Sequence, residues 1–187
     1  MLSALVVCGG KSSRMGRPKA LLAVRGRRLI DHVTGVARRL ASEVLLVTPS
    51  PEGLEDLGFP IATGERPGLG PLEALRVGLE QARGDLVYVF SCDLPNIEAG
   101  PLKKLQELLG DSDAVIPRSA HGLEPLCALY RKSCAEVFAA QLAKGERALH
   151  GAARALRAAH PAAKDLGVEE SFFANLNTPE DLTRLDR

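Results

Sequence analysis

Apolar residues along this chain fall into two kinds of stretch: short unbroken runs, and longer stretches where they recur at three- and four-residue spacing. The first run (Leu2, then Ala4-Leu5-Val6-Val7) is the length of a buried strand and stops at Gly9-Gly10. Ala20-Leu21-Leu22-Ala23-Val24 is a second short run, ended by Gly26. Leu29, Ile30, Val33, Val36, Ala37 and Leu40 then follow helical spacing. Residues 43–47 read as a buried strand closed by Thr48-Pro49-Ser50-Pro51, and Phe59-Pro60-Ile61-Ala62 as a weaker one. Pro71 suits a first helical turn, and Leu72, Leu75, Leu79 and Ala82 give that helix one apolar face before Gly84 stops it. Residues 85–91 are almost continuously apolar, as expected of a central strand covered on both faces.

Beyond it, Leu102, Leu105, Leu108 and Leu109 mark a helix ending at Gly110, and residues 114–116 and 125–130 read as strands. Two alanine-rich stretches, 133–143 and 148–159, read as helices. Thr178 as N-cap, Pro179 at the first position and Asp181 three residues after the cap predict a last helix start. Strand and helix alternate over the first 117 residues. That alternation predicts one three-layer α/β/α domain over 1–187, with a mostly parallel sheet and right-handed crossovers.

Composition narrows the function classes. The 187 residues are 45% hydrophobic and 25% charged, ordinary for a globular protein with a real core. A net charge of +1 supplies no global field for nucleic acid or a membrane surface, so any anion site must be local. No run reaches membrane-spanning length and the N-terminal run lacks a basic leader, which makes the cytoplasm the expected compartment. Cys8, Cys92, Cys127 and Cys134 show no CxxC spacing and are expected as buried thiols.

The chemistry concentrates in residues 3–19. A strand feeding a glycine-rich loop at a sheet's carboxyl edge is where α/β proteins bind phosphorylated ligands. Gly9-Gly10 lets backbone approach a polyanion, and Lys11, Arg14 and Lys19 add positive charge along the same loop. Gly10-Lys11-Ser12 resembles the end of a Walker A loop, but the first glycine of that motif would fall at Leu5, and there is no G-x-G-x-x-G opening a helix. Asp93 follows the most hydrophobic strand directly, where a carboxylate meets the ligand edge: a Mg²⁺ ligand, or a turn aspartate before Pro95. Gly68-Leu69-Gly70 would admit a base or ribose, or simply bend. Asn175 and Asn177, two apart on an extended segment, share one face, able to bond a heterocycle or to end a strand. His32, His121, His150 and His160 have no companion motif and read as ordinary surface or core histidines, and Arg25-Gly26-Arg27-Arg28 as a solvated basic turn.

Together these segments resemble the MobA-type molybdenum cofactor guanylyltransferases of the nucleotidyltransferase superfamily. The family's opening loop, Leu-Ala-Gly-Gly-x-Ser-x-Arg-Met-Gly-x-x-Lys, stands here as Val7-Cys8-Gly9-Gly10-Lys11-Ser12-Ser13-Arg14-Met15-Gly16-Arg17-Pro18-Lys19. Gly70-Pro71-Leu72, Cys92-Asp93-Leu94-Pro95, Pro125-Leu126-Cys127-Ala128-Leu129-Tyr130 and the Asn-x-Asn-Thr-Pro-Glu-Asp-Leu ending at 175–182 match in family order. The resemblance implies a Rossmann-like nucleotidyltransferase fold and transfer of GMP from GTP to molybdopterin, releasing pyrophosphate. It implies Lys19 and Arg14 on the phosphates and Asp93 holding Mg²⁺. The nucleotide would lie against Val7, Cys8, Gly9, Gly10, Gly64, Glu65 and Gly70, with Asn175 and Asn177 facing the pterin. Such a transferase is expected to meet molybdoenzymes or other cofactor-biosynthesis proteins transiently. The chain departs from the pattern where the family usually carries an aspartate before Gly-Pro-Leu: here stands Thr63-Gly64-Glu65, with Glu65 as the substitute. A cytidylyltransferase making the cytosine form of the cofactor shares the opening loop. A nucleotide-binding regulator without turnover is the rival from another class, and Lys19 together with Asp93 argues against it.

Overall fold

The computed structural model describes residues 1–9, 19–24, 26–64 and 70–176. Along the first half run β1 (Leu2–Val7), a two-residue ladder of β2 (Ala23–Val24) and β3 (Arg27–Arg28), α1 (Leu29–Leu40), β4 (Glu43–Val47), β5 (Ile61–Ala62) and α2 (Gly70–Gln81). The second half holds β6 (Leu86–Ser91), α3 (Ala99–Glu107), β7 (Ala114–Val115), the hairpin β8 (Arg118–Ser119) and β9 (Gly122–Leu123), and β10 (Cys127–Arg131). It closes with α4 (Cys134–Ala143), α5 (Leu149–Ala153), β11 (Ala158–Ala159), α6 (Ala163–Leu166) and a 3₁₀ turn, Glu170–Phe173.

Seven strands form one sheet in the order β11-β7-β10-β6-β1-β4-β5. Every pairing is parallel except the two made by β10, which runs against β6 and β7. The sheet is therefore mixed but mostly parallel, as the strand–helix alternation predicts. β1 is central, in register with β4 (Val7 opposite Val47) and β6 (Val7 opposite Ser91). Its carboxyl end and those of its neighbours thus finish side by side.

The period of two along each strand sorts the core into two layers. Ala4, Val6, Tyr88 and Phe90 point to one side with residues of α1 and α3, and Leu5, Val7, Val87 and Val89 to the other with residues of α2, α4 and α5. The buried tyrosines keep their hydroxyls satisfied: Tyr88 donates to the Leu102 carbonyl and Tyr130 to that of Pro125. α2 lies close on β1 and β4. A Cβ at Gly78 would sit 2.6 Å from Leu5 Cδ1 and 2.9 Å from Val47 Cγ2, so only glycine permits this approach.

Two expectations need correction. The stretch 148–159 is not one helix: α5 ends at Ala153, and Ala158–Ala159 is the edge strand β11, parallel to β7. The Asp113 amide donates to the Arg157 carbonyl and the Ile116 amide to that of Ala159. Sheet pairing overrides alanine's helix propensity there. In the basic run at 25–28, Arg25 lies outside the described residues, and Arg28 is more than a solvated charge: it forks onto Asp31 at 2.8 and 3.0 Å and reaches Asp56 at 2.8 Å.

Candidate active site

The carboxyl ends of β1, β4 and β6 are stitched together one residue past the strands. The Cys8 amide donates to the Val47 carbonyl at 2.8 Å, and the Cys92 amide to the Val7 carbonyl at 3.1 Å. These bonds commit Val7 C=O and Cys8 N–H to the sheet, so from these two positions the edge gains rigidity rather than an anion donor. Gly9, exposed, is the first residue to leave it. The Cys8 thiol donates to the Val6 carbonyl at 3.6 Å, and the neighbouring Cys8, followed by burial, pushes the Cys92 thiol well above the usual range. It is a neutral packing group, not a nucleophile.

Asp93 stands on this rim. Its Oδ1 accepts from Ser91 Oγ at 2.5 Å, its Oδ2 lies 3.3 Å from Lys19 Nζ, and its backbone carbonyl accepts from the Leu176 amide at 3.0 Å. Residues distant in sequence thus meet at one point. Lys19 opens a 3₁₀ turn, Lys19–Leu21, anchored by the buried Ala20. Leu176, 1% exposed, packs with Val24 and Leu29, which brings the exposed Asn175 to the rim. The lysine and aspartate side chains stay 26% and 14% exposed, so both remain within reach of a ligand.

On the other side, β5 ends before the exposed Gly64, and α2 begins at Gly70, whose φ of +75° is left-handed. The amino end of α2 carries the positive pole of a helix of 12 residues. Beneath it Glu73, 3% exposed, holds Arg76 by two bonds of 2.7 and 2.8 Å and lies against Gly64. Glu73 carries no motif in the sequence; the charged stripe Glu73, Arg76 and Glu80 at helical spacing is its only signal. Of the residues expected at the site, Val7, Cys8, Gly9, Lys19, Gly64, Gly70, Asp93 and Asn175 border the carboxyl edge. Gly10, Arg14, Glu65 and Asn177, with the helix start at 178–181, lie outside the described residues.

No group of three or more His, Cys, Asp or Glu side chains that could hold a metal is found among the described residues. One carboxylate beside a hydroxyl offers hard oxygen donors that suit a cation sharing its other positions with phosphate oxygens and water, not a dedicated protein cage.

A family model described as the MobA-like NTP transferase domain matches residues 4–163. The chain belongs to this family. A relative from Trichormus variabilis named "Probable molybdenum cofactor guanylyltransferase" is 35% identical over 97% of this chain and 88% of its own length. The molybdenum cofactor guanylyltransferase of Syntrophotalea carbinolica is 30% identical over 99% of this chain and 90% of its own. In fold, this MobA-like chain superposes with a TM-score of 0.81 on the molybdopterin-guanine dinucleotide biosynthesis protein A of Archaeoglobus fulgidus, at 24% identity, covering 100% and 97% of the two chains.

Proposed function

We propose that this protein transfers GMP from GTP to molybdopterin, forming molybdopterin guanine dinucleotide and pyrophosphate. The reading rests on family membership over nearly the whole chain, and the observation that carries it to chemistry is the meeting of Lys19 and Asp93 at the carboxyl edge. The terminal phosphate of the pterin attacks the α-phosphorus of GTP. A new P–O bond forms, the bond to the bridging oxygen of the β-phosphate breaks, and pyrophosphate departs with that electron pair.

Phosphoryl transfer of this kind asks a protein for positioning and charge stabilisation rather than covalent help. Gly9 and Gly10 let backbone meet the nucleotide, and Gly64, Glu65 and Gly70 border its base. Lys19, with Arg14, neutralises charge developing on the phosphates. Asn175 and Asn177 face the second substrate. Asp93, oriented by Ser91, would hold Mg²⁺, which when bound offsets phosphate charge. In the structure Lys19 and Asp93 form an ion pair, so substrate binding exchanges it for contact between the Lys19 ammonium and phosphate oxygens. The same reading places the protein in the cytoplasm, handing its product to molybdoenzymes. No described helix is long and apolar enough to cross a membrane.

The test is incubation with molybdopterin, Mg²⁺ and each nucleoside triphosphate in turn. Pyrophosphate and dinucleotide should form with GTP. Turnover with CTP and not GTP would replace this reading with the cytidylyl one, and binding without any turnover would favour the regulator.

A further inference from the structure

The carboxyl edge has two flanks. In the order β10-β6-β1-β4-β5, Gly9 follows β1, Gly64 follows β5, and Asp93 follows β6. A nucleotide bound along these glycines occupies the β1–β5 flank, which leaves the partner substrate the β10–β7 flank to reach Asp93.

That flank is built by the β8–β9 hairpin, which rises from the carboxyl edge between β7 and β10. The Ser91 amide donates to the Leu126 carbonyl at 2.8 Å, so the strand entering β10 begins alongside the residue that orients Asp93. Two residues before Leu126 is Glu124, half-buried. Ser119 Oγ donates to its Oε1 at 2.6 Å, and the Glu124 amide donates to the Pro117 carbonyl at 2.8 Å, so both side chain and backbone are pinned. Burial pushes its carboxyl above the usual range, while Ser119, His150 and His121 pull it down and Glu170 pushes it up. His150 is held by donation from Nε2 to the Leu123 carbonyl at 3.0 Å, and Glu170 accepts from the Ala120 amide at 2.7 Å, tying the hairpin to the turn that leads to Asn175. A braced carboxylate with two imidazoles near it is a costly group to half-bury for packing alone.

Resting on the guanylyltransferase reading above, we propose that Glu124 recognises the pterin half of the second substrate. Its carboxylate accepts the ring N–H and exocyclic amino group of the aminopyrimidinone edge as a two-pronged pair, with His121 and His150 bordering the ring. A carboxylate has lone-pair sites for two such donors besides the Ser119 bond. Guanine presents the same aminopyrimidinone edge, so the chemistry is shared by both substrates; the flank assigns Glu124 to the pterin.

The experiment is steady-state kinetics of Glu124→Gln with both substrates varied, alongside equilibrium titration of molybdopterin fluorescence. Gln keeps the shape and can still accept from Ser119, but its amide group meets one ligand donor with another. The KM and Kd for molybdopterin should rise by about ten- to a hundredfold, as for the loss of a charge-assisted hydrogen bond, with KM for GTP within about twofold of wild type. A partly misfolded preparation lowers kcat and leaves both KM values in place, so the split still reads the site. Unchanged KM and Kd for molybdopterin overturn the assignment, as does a rise in KM for GTP instead. A wild-type protein that forms no dinucleotide overturns the functional reading itself, a result distinct from either of these.

Discussion

Asp93→Asn separates a ligand-binding carboxylate from a structural ion-pair partner. The substitution keeps the shape of the side chain and an oxygen to accept from Ser91, and removes only the charge facing Lys19 at 3.3 Å. At that distance the gross attraction is about 5 kcal/mol with an effective dielectric constant near 20. Both groups are partly open to water, and ordering the lysine chain offsets much of the gain, so the net loss of stability should be about 1–2 kcal/mol. For a chain of 187 residues that corresponds to a fall in Tm of about 2–8 °C. The effect on turnover should be far larger. Loss of one preorganised electrostatic group costs about 100–1000-fold in kcat, and the Mg²⁺ concentration for half-maximal rate should rise by about tenfold or more. The assay is pyrophosphate release against Mg²⁺ concentration, with thermal melts on the same preparations. A variant that melts lower but turns over within about threefold of wild type, with the same Mg²⁺ dependence, would refute the reasoning and reduce Asp93 to a partner of Lys19.

Other consequences can be measured separately. Lys19→Ala should lower kcat/KM by about 100–1000-fold by removing charge from the phosphates, and a loss below about threefold would contradict that role. Ser3, fully buried, donates to Glu43 at 2.5 Å and accepts from the Gly84 amide at 2.8 Å. Ser3→Ala strands that amide and should cost about 1–3 kcal/mol in denaturant unfolding while leaving KM for GTP unchanged. All four thiols are buried, and burial pushes Cys134 up to about 12. A thiol reagent at neutral pH should therefore label the native protein slowly and all four positions at once on unfolding; fast native labelling would show the edge of the sheet to be open.

How much of this was legible beforehand depends on which forces set each element. α1 has the bounds that its apolar spacing gives, Leu29 to Leu40, and β4 runs over 43–47 as its apolar run and the Thr-Pro stop indicate. Both follow from local pattern: one buried stripe, and one run cut by residues that cannot continue it. β11 was hidden because Ala158 and Ala159 have no strand character of their own and are held by pairing to β7. The β8–β9 hairpin was hidden similarly, since its strands are two residues each and hold no alternation to read. At the site, Asp93 and Asn175 were visible because they interrupt or follow apolar segments. Glu124 and His150 were not, for they come together only when the hairpin meets α5, where His150 bonds the Leu123 carbonyl. The Lys19–Asp93 contact, across 74 positions, likewise belongs to the fold and not to any local pattern.

The central claim concerns which bond is broken. The most direct measurement follows the label of GTP carrying one isotope at the α-phosphate and another at the γ-phosphate, incubated with the protein, Mg²⁺ and molybdopterin. The account predicts the α-label in the pterin dinucleotide and the γ-label in pyrophosphate, in equal amounts. The γ-label in free inorganic phosphate, with no α-label on the pterin, would contradict it.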